Sequence, residues 1–309
     1  MSGEWQYTLL KGLSHLVCRL SYGTVLSIGS VLGPVYSLLA KKQKKRGMKN
    51  AVIGLGISEA EADRLMEDLF RHLGKCAMEI LYMPNLTKEF IDRHIELRGK
   101  EYLDEAIALD KGVVILTGHV GNWEWMGATL ASHGYPSTTI VKKQPNAQFT
   151  RLINEYREMV GLEVFARGGS EMVKAAKAMK QKKLLGFLAD QDGGFQGLPV
   201  MFLGQESSAV LGPATFAGRF GAPVVPVFSS RKDGGHVVHV LPPIYYEDTG
   251  NRDEDLFRLT ERTVRVTENF IREHPSEWLW FQHRWNTKPY EIVDLEAKLA
   301  VREAVHEKK

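Results

Sequence analysis

The sequence predicts an α/β protein in which a mostly parallel central sheet is flanked by helices. Short runs rich in β-branched residues, such as "VVILT" and "PVVPVF", alternate with segments that have helical spacing. A length of 309 residues is enough for one large α/β domain with a substantial core. A charge-free segment near the amino terminus predicts a membrane-associated helix in front of that domain.

The amino-terminal segment from Leu20 to Ala40 has 21 residues without a charge, close to the ~20 that span the hydrocarbon core of a bilayer. Its serines, its glycines and Pro34 keep its hydrophobicity modest, so an interfacial helix stays open, as does a buried helix of a soluble protein. The next nine residues, "KKQKKRGMK", carry six cations, which attract anionic headgroups and favour a cytoplasmic position for the rest of the chain. A cleaved signal peptide is disfavoured because these charges come after the apolar run. We therefore predict a membrane helix with a basic collar over residues 1–45.

The main domain is predicted over residues 46–295. Ser58 and Glu61 form a capping box before a long amphipathic helix, and a helix over 100–109 leads into a strand at 113–117. The tail, residues 296–309, is predicted as a polar helix or a frayed end. Further strands are predicted at 137–143, 162–166, 184–190, 223–231 and 236–243, and further helices at 147–161, 170–183, 209–221 and 253–274.

The composition and the missing motifs argue against several classes of protein. The chain carries 40 basic and 37 acidic residues, so its overall charge gives no indication of nucleic-acid binding. Cys18 and Cys76 lie far apart and outside metal-ligand spacing, which argues against a disulfide framework and against a zinc site. G-x-S-x-G, P-loop and H-E-x-x-H motifs do not occur. We expect no metal, no cofactor and a reducing, cytoplasm-facing location.

The first polar cluster comes after the strand "VVILT", at the edge where ligands collect in α/β sheets. Gly118 and Gly121 allow His119 to lie in the strand-to-helix turn and Glu124 in the first turn of the helix. The carboxylate would then hold one ring nitrogen and leave the other to accept a substrate proton, as in a general-base dyad. The alternative is that both side chains merely satisfy a buried strand end. Asn122, between them, is a candidate for substrate binding.

Two further clusters come after later strands. Arg167, in the glycine-flanked turn "FARGGSE", suits an anionic group or a developing oxyanion, although a surface arginine is the other interpretation. Asp190 and Asp192, in "LADQDGG", are expected to face the same crevice, where they could bind substrate hydroxyls, hold Arg167 or add negative charge near the dyad. The alternative is an ordinary aspartate-glycine turn. The chemistry left open is direct attack by a substrate hydroxyl, with His119 as the base and no covalent enzyme intermediate.

Five motifs in order carry a resemblance to a known family. His119 and Glu124 match the H-x-x-x-x-[DE] signature of glycerolipid-type acyltransferases. The sequence also resembles the lipid A biosynthesis (late) acyltransferase family. The resemblance rests on five motifs, which occur in the order "GVVILTGHVGNWEWMG", "ARGGS", "LADQDGG", "VMFLGQESSAVLGPATFAGRFGAPVVPVF" and "EWLWFQHRW". The similarity runs from about Trp5 to Trp285, nearly the whole chain. The residues Gly-Asn-Trp between the dyad residues depart from the best-known enterobacterial members, so the resemblance indicates the reaction more closely than the acceptor.

The resemblance implies a membrane helix, a cytoplasmic α/β domain at the bacterial inner membrane, and acyl transfer from acyl carrier protein to a hydroxyl of a lipid A precursor. It implies His119 as the general base, Glu124 as its partner, Arg167 as an essential positive group, and Asp190 and Asp192 as acidic residues of the site. Alternatives are an acyltransferase of another membrane glycolipid, a lipid-binding relative without turnover, and a hydrolase in which His119 activates water.

Two other patterns have open interpretations. Lys174, Lys177 and Lys180 recur at helical spacing, with Lys182 and Lys183 after them, and could dock the acidic carrier protein or the phosphates of the acceptor. A solvated helix face is the plainer interpretation. The aromatic residues of "EWLWFQHRW" could line an acyl groove or pack in the core.

Overall fold

The computed structural model describes residues 4–141, 146–166 and 170–307. Its helices are α1 (Glu4–Val17), α2 (Tyr22–Leu39), α3 (Lys41–Leu55), α4 (Glu59–Tyr82), α5 (Lys88–His94), α6 (Lys100–Ala108), α7 (Trp123–Ser132), α8 (Ala147–Met159), α9 (Glu171–Lys180), α10 (Gly212–Phe220), α11 (Arg252–Glu273) and α12 (Leu295–Glu307). Its strands are β1 (Ile95–Arg98), β2 (Val113–Thr117), β3 (Ser137–Val141), β4 (Glu163–Ala166), β5 (Leu184–Leu188), β6 (Leu198–Phe202), β7 (Gln205–Ala209), β8 (Val224–Lys232) and β9 (Gly235–Val240).

Seven of the strands in the described residues form one central sheet, in the order β1-β9-β8-β2-β5-β3-β4. Neighbouring strands are parallel except for β8 and β9, which form an antiparallel pair. Strand β2 lies near the middle and every one of its residues is buried, as expected for an apolar strand covered on both faces. The predicted mostly parallel α/β fold is therefore confirmed.

The differences from the predicted elements include a hairpin, a short edge strand and the helices α1, α3 and α5, which were not predicted. Strands β6 and β7 pair antiparallel through Leu203 and Gly204, which both have positive φ, as hairpin turns require. The helix predicted over 209–221 begins only at Gly212 because the polar stretch before it is strand β7. Strand β1 was not predicted. The strand predicted over 137–143 is present over Ser137–Val141, and its last two residues lie outside the described residues.

The amino-terminal helices lie against the main domain. Helix α2 is an 18-residue segment with a mean hydropathy of 1.3, long and apolar enough to cross a membrane by length and composition, and 22% of it is buried. The hydroxyl of Ser21 caps the helix by accepting a hydrogen bond from the backbone N–H of Thr24. Helix α2 packs along α4, and α1 packs against α4 and α8. The helix predicted near Leu20 to Ala40 is therefore present, with one side on the domain.

The carboxy-terminal tail forms helix α12, which packs on α11. Val305 in this helix is fully buried. Most of the tail predicted as a polar helix or frayed end is thus an ordered helix with an apolar anchor.

Candidate active site

The turn from β2 into α7 places His119 at the carboxyl end of the central strand. Gly121 has a φ of +63°, and a Cβ there would lie 2.1 Å from the carbonyl oxygen of Ser229, so glycine is required. The side chain of Asn122 caps α7 by accepting a hydrogen bond of 3.1 Å from the backbone N–H of Trp125. His119 therefore lies in the turn and Glu124 in the first turn of α7, as the sequence analysis expected.

The carboxylate that holds the His119 ring is Asp190, at the end of the neighbouring strand β5. His119 Nδ1 and Asp190 Oδ1 are 2.8 Å apart, and the backbone N–H of His119 donates to Asp190 Oδ2 over 2.8 Å. Asp190 is fully buried, whereas the His119 side chain is 16% exposed. Because an ionised carboxylate only accepts hydrogen bonds, the neutral form of the His119 ring carries its proton on Nδ1 and keeps a lone pair on Nε2.

Burial and pairing act in opposite directions on these two groups. Burial disfavours the charged imidazole, but the charge of Asp190 and its hydrogen bond outweigh that effect and raise the pKa of His119 above its ordinary value. Burial also disfavours the carboxylate, yet the charge of His119 and the hydrogen bonds it donates hold the pKa of Asp190 well below its usual range. The site is therefore built to favour an imidazolium beside a carboxylate, which is the state that a general base reaches after taking a proton.

Glu124 does not hold the ring, and this corrects the pairing expected from the sequence. It is buried and accepts two hydrogen bonds from the Arg157 guanidinium on α8, of 2.7 and 2.5 Å. Trp123 Nε1 donates a third, of 3.1 Å. The Glu124 charge still contributes to the raised pKa of His119, after Asp190. The first turn of α7 directs the carboxylate toward α8, while the ring turns toward β5.

Asn122 and Asp192, both candidates for substrate binding, make hydrogen bonds to other parts of the protein. Asn122 is buried, and besides capping α7 it donates a hydrogen bond of 2.9 Å to Glu79. Asp192 accepts hydrogen bonds from the backbone N–H groups of Gly194, at 2.9 Å, and Thr287, at 2.6 Å. Asn122 therefore links the start of α7 to α4, and Asp192 holds its own loop, where it forms the aspartate-glycine turn that was its alternative interpretation. Arg167 lies outside the described residues.

The aromatic segment after α11 forms the back of the site, which the sequence analysis did not predict. The indole of Trp278 donates a hydrogen bond of 2.8 Å to Asp190 Oδ2, and Gln282 donates another of 3.1 Å to the same oxygen. The backbone N–H of Leu279 donates to the carbonyl of His119. Trp278 and Trp280 are fully buried, so for them the core interpretation is correct. In the sequence, the polar residues among the tryptophans were the only indication of a role for this segment. They do not indicate that the segment contacts Asp190.

An apolar cavity lies between the sheet and α7, next to Trp123, whose ring contacts the His119 ring. Trp123, Glu124 and Arg157 contribute to its wall, and the remainder is mostly aliphatic side chains of α7, β2, β3 and β5. Leu184, Gly186 and Leu188 line it from β5, which agrees with the alternation of side chains along a strand.

Comparison with known proteins decides the family. A sequence model described as bacterial lipid A biosynthesis acyltransferase matches residues 1–287. The chain belongs to this family. It is 26% identical over 244 residues to a phosphatidylinositol mannoside acyltransferase of Mycobacterium tuberculosis, covering 77% of this chain and 75% of the relative. It is 23% identical over 290 residues to the lipid A biosynthesis lauroyltransferase of Escherichia coli, covering 92% of each chain. A lipid A biosynthesis acyltransferase of Haemophilus influenzae is 21% identical over 254 residues, 81% of this chain and 77% of the relative.

The family and the named relatives make this protein an acyltransferase of the lipid A or glycolipid type. The resemblance inferred from the ordered motifs is confirmed over nearly the same range of the chain.

Proposed function

We propose that the protein transfers an acyl chain from an acyl carrier protein thioester to a hydroxyl of a lipid A precursor, with His119 as the general base. The observation that carries the proposal is the His119–Asp190 pair together with the neighbouring apolar cavity, whose wall includes Trp123 in contact with the His119 ring. The pair supplies a base with its second ring nitrogen unprotonated. The cavity supplies apolar walls for a fatty acyl chain.

The proposed reaction needs only groups of the chain and its two substrates. Nε2 of His119 takes the proton of the acceptor hydroxyl as the oxygen attacks the thioester carbonyl carbon. The tetrahedral intermediate then collapses, the carbon–sulfur bond breaks, and the thiolate receives the proton from the imidazolium. The products are an ester and the free thiol of the carrier. Asp190 stabilises the imidazolium throughout and stays ionised itself.

Glu124 and Arg157 are proposed to act together on the cavity wall. Their bidentate ion pair links the first turn of α7 to α8, and both residues contact the cavity. The pair would fix the position of α7, and with it the wall along which the acyl chain lies. Arg167 stays a candidate for an anionic group of the acceptor, as the resemblance implies.

The proposed acyl donor and the proposed location of the protein are both inferred from positively charged residues. Lys174, Lys177 and Lys180 belong to α9, where an acidic carrier protein could dock. The cations that come after α2 favour a position of the domain on the cytoplasmic face of a bacterial inner membrane. Both the thioester and the membrane lipid would then be within reach of one site.

The sequence identities to the relatives favour a second candidate acceptor. The mannoside acyltransferase of M. tuberculosis has a higher identity to this chain than the two lipid A enzymes have, although over a shorter alignment. A mannosylated phosphatidylinositol is therefore the second candidate acceptor. Both acceptors are glycolipids with free sugar hydroxyls, so the same base and donor would serve either.

The test is an in vitro transfer assay read by mass spectrometry of the lipid products. The purified protein is incubated with acyl carrier protein thioesters or coenzyme A thioesters, and with a Kdo-bearing lipid A precursor or a mannosylated phosphatidylinositol. We expect one added acyl chain, lost in His119→Ala and retained in His133→Ala, a histidine at the end of α7. Release of free fatty acid instead would indicate a hydrolase, and glycolipid binding without transfer would indicate a binding protein. An unchanged rate for His119→Ala would remove the proposed base.

A further inference from the structure

Glu79, on α4, is a fully buried carboxylate that the proposed reaction does not use. Burial alone would raise its pKa, but the contacts with His236 and Arg231 outweigh burial and hold the pKa of Glu79 well below its usual range. The side chain is therefore ionised inside the protein. Within the described residues, this carboxylate accepts hydrogen bonds of 2.8–3.0 Å from Tyr22, Asn122, Arg231 and His236.

The guanidinium of Arg231 fixes the direction of this carboxylate. Arg231 Nη1 and Nη2 donate to Glu79 Oε1 and Oε2, each over 2.8 Å, which makes a bidentate ion pair. Taking two charges out of water is costly, and an apolar pair of similar size would avoid that cost. What the carboxylate supplies, and an apolar side chain could not, is a rigid hydrogen-bond acceptor that points in one direction.

Asn122 connects this acceptor to the start of α7. Its Nδ2 donates to Glu79 Oε2 over 2.9 Å, while its Oδ1 accepts from the backbone N–H of Trp125 over 3.1 Å. Because one end of the amide donates and the other accepts, the two contacts fix its orientation. The indole of Trp125 also donates to the backbone carbonyl of Glu79, over 3.1 Å. The start of α7 is therefore fastened to α4 at two points.

The turn that contains His119 is held from both ends. His119 lies three residues before Asn122, and Asp190 accepts from its ring and from its backbone N–H, over 2.8 Å each. Gly118 and Gly121 lie within the turn, and glycine has the widest conformational range of any residue type. Hydrogen bonds therefore have to fix the backbone of the turn, and the Asn122 amide supplies the one at the end away from Asp190.

We propose that Glu79 is a positioning residue for His119: through Asn122, its carboxylate holds the turn in the conformation in which the His119 ring meets Asp190. The inference rests on the proposed function, because it takes His119 to be the base. A reacting group displaced by about 1 Å can cost about 100-fold in rate. Loss of the Glu79–Asn122 contact should therefore lower kcat by about 10–100-fold.

The first experiment reads the His119 ring without any turnover. Nitrogen NMR of the full chain with isotope-labelled histidine shows which ring nitrogen of the neutral ring carries the proton, and the His119 signals are those missing in His119→Gln. We expect the Nδ1–H form to predominate in the wild type. In Glu79→Gln an amide nitrogen replaces one acceptor, so we expect a mixture of both tautomers, because the ring no longer stays against Asp190.

Glu254→Gln is the matched control for this measurement. Glu254 is also buried and also paired with an arginine, Arg258, but it lies at the start of α11. We expect this variant to lose stability and to keep the Nδ1–H form of His119. An equal change of tautomer in Glu254→Gln and Glu79→Gln would mean that loss of any buried ion pair loosens the site, and it would overturn the inference.

Asn122→Ser breaks the same contact without touching the carboxylate. A serine oxygen still caps α7, but the side chain is too short to reach Glu79 at the same time. We expect the same mixture of tautomers as in Glu79→Gln, and this variant decides the matter alone if Glu79→Gln does not fold. A folded Asn122→Ser protein that keeps the Nδ1–H form would refute the positioning role.

The second experiment reverses the donor and the acceptor. In Asn122→Asp two carboxylates face each other, whereas adding Glu79→Gln gives an amide that donates to the new carboxylate. In the transfer assay kcat should fall in each single variant and recover in the double variant to a value above both. Losses that multiply in the double variant would mean that the two side chains act independently, against the inference.

The two experiments separate this inference from the proposed function. A tautomer that shifts in Glu79→Gln, in a protein that transfers no acyl chain, would support the positioning role and refute the proposed function. Acyl transfer that depends on His119, with an unshifted tautomer in Glu79→Gln, would do the reverse.

Discussion

Replacing Asp190 by asparagine tests the central pair most directly. The substitution keeps the size of the side chain but removes its charge and turns one acceptor oxygen into a donor. Asp190 accepts hydrogen bonds from His119, Trp278 and Gln282, and all of these contacts need an acceptor. In the asparagine variant the side-chain amide nitrogen would face one of these donors, so that hydrogen bond would be lost. The neutral ring of His119 would also lose its preference for the tautomer with the proton on Nδ1.

The expected loss of activity comes from the role of the pair in proton transfer. General-base catalysis by a positioned side chain contributes about 10²–10⁴ in rate. Asp190→Asn should therefore lower kcat in the transfer assay by about 10²–10⁴. The wild-type rate should rise with pH through the raised pKa of His119, since only the neutral ring accepts a proton. In the variant the acid limb should move to lower pH, because the charge that raised this pKa is gone.

Asp192→Asn is the matched control, because the same chemical change falls two residues away in a turn. Its carboxylate accepts only from the backbone groups of Gly194 and Thr287 among the described residues, so we expect a modest loss of stability and an unmoved acid limb. If Asp190→Asn kept its rate within a few fold, or if both variants shifted the pH profile alike, the assignment of Asp190 as the partner of His119 would be wrong.

Three other perturbations have defined outcomes. Arg157→Ala leaves the Glu124 carboxylate buried without its guanidinium, so unfolding in urea should show a loss of about 3 kcal/mol, and Glu124→Gln added to it should recover part. Gly186→Ile adds a side chain to the cavity wall, so competition between donors should move toward shorter acyl chains. Burial raises the pKa of Glu277 to about 7, so the folded state holds its proton above the ordinary value of ~4.3. The unfolding free energy of the wild type should therefore fall as the pH rises from about 5 to about 8. In Glu277→Gln this fall should be smaller by about 3 kcal/mol.

Much of the fold could be predicted because the sheet strands have strong local signals. The run "VVILT" is apolar on both sides and became the buried strand β2. The hairpin of β6 and β7 was missed because "QESSA" is polar and Leu203, not glycine or asparagine, occupies one positive-φ turn position. The packing of α2 was beyond the sequence for another reason. Its glycines diluted the apolar run, and only the structure shows that Gly29 and Gly33 face α4.

The sequence indicated some of the residues of the site, but it did not indicate which residues they contact. His119 and its turn were predicted from a strand end and Gly121, whose positive φ the structure confirms. Asn122 and Asp192 are residue types that bind substrates, but the same types cap helices and close turns, which is where the structure places them. Trp278 and Gln282 come from a segment about 90 positions beyond Asp190, and their contact depends on how the chain returns to the sheet.

The partner of His119 illustrates how little chain spacing says about contacts across a sheet. Glu124 is five positions away, and Asp190 is 71 away, yet Asp190 is the one in contact. Strands β2 and β5 are paired with Thr117 opposite Leu188, and His119 and Asp190 each lie two residues beyond the end of their strand. Adjacent strands lie about 4.8 Å apart, so two side chains at matching positions meet directly. The order β2-β5-β3 sets this contact, because β5 enters the sheet between two strands that are neighbours in the sequence. A pairing of catalytic groups across a sheet therefore depends on strand order, and motif spacing alone favours whichever carboxylate happens to be near in the chain.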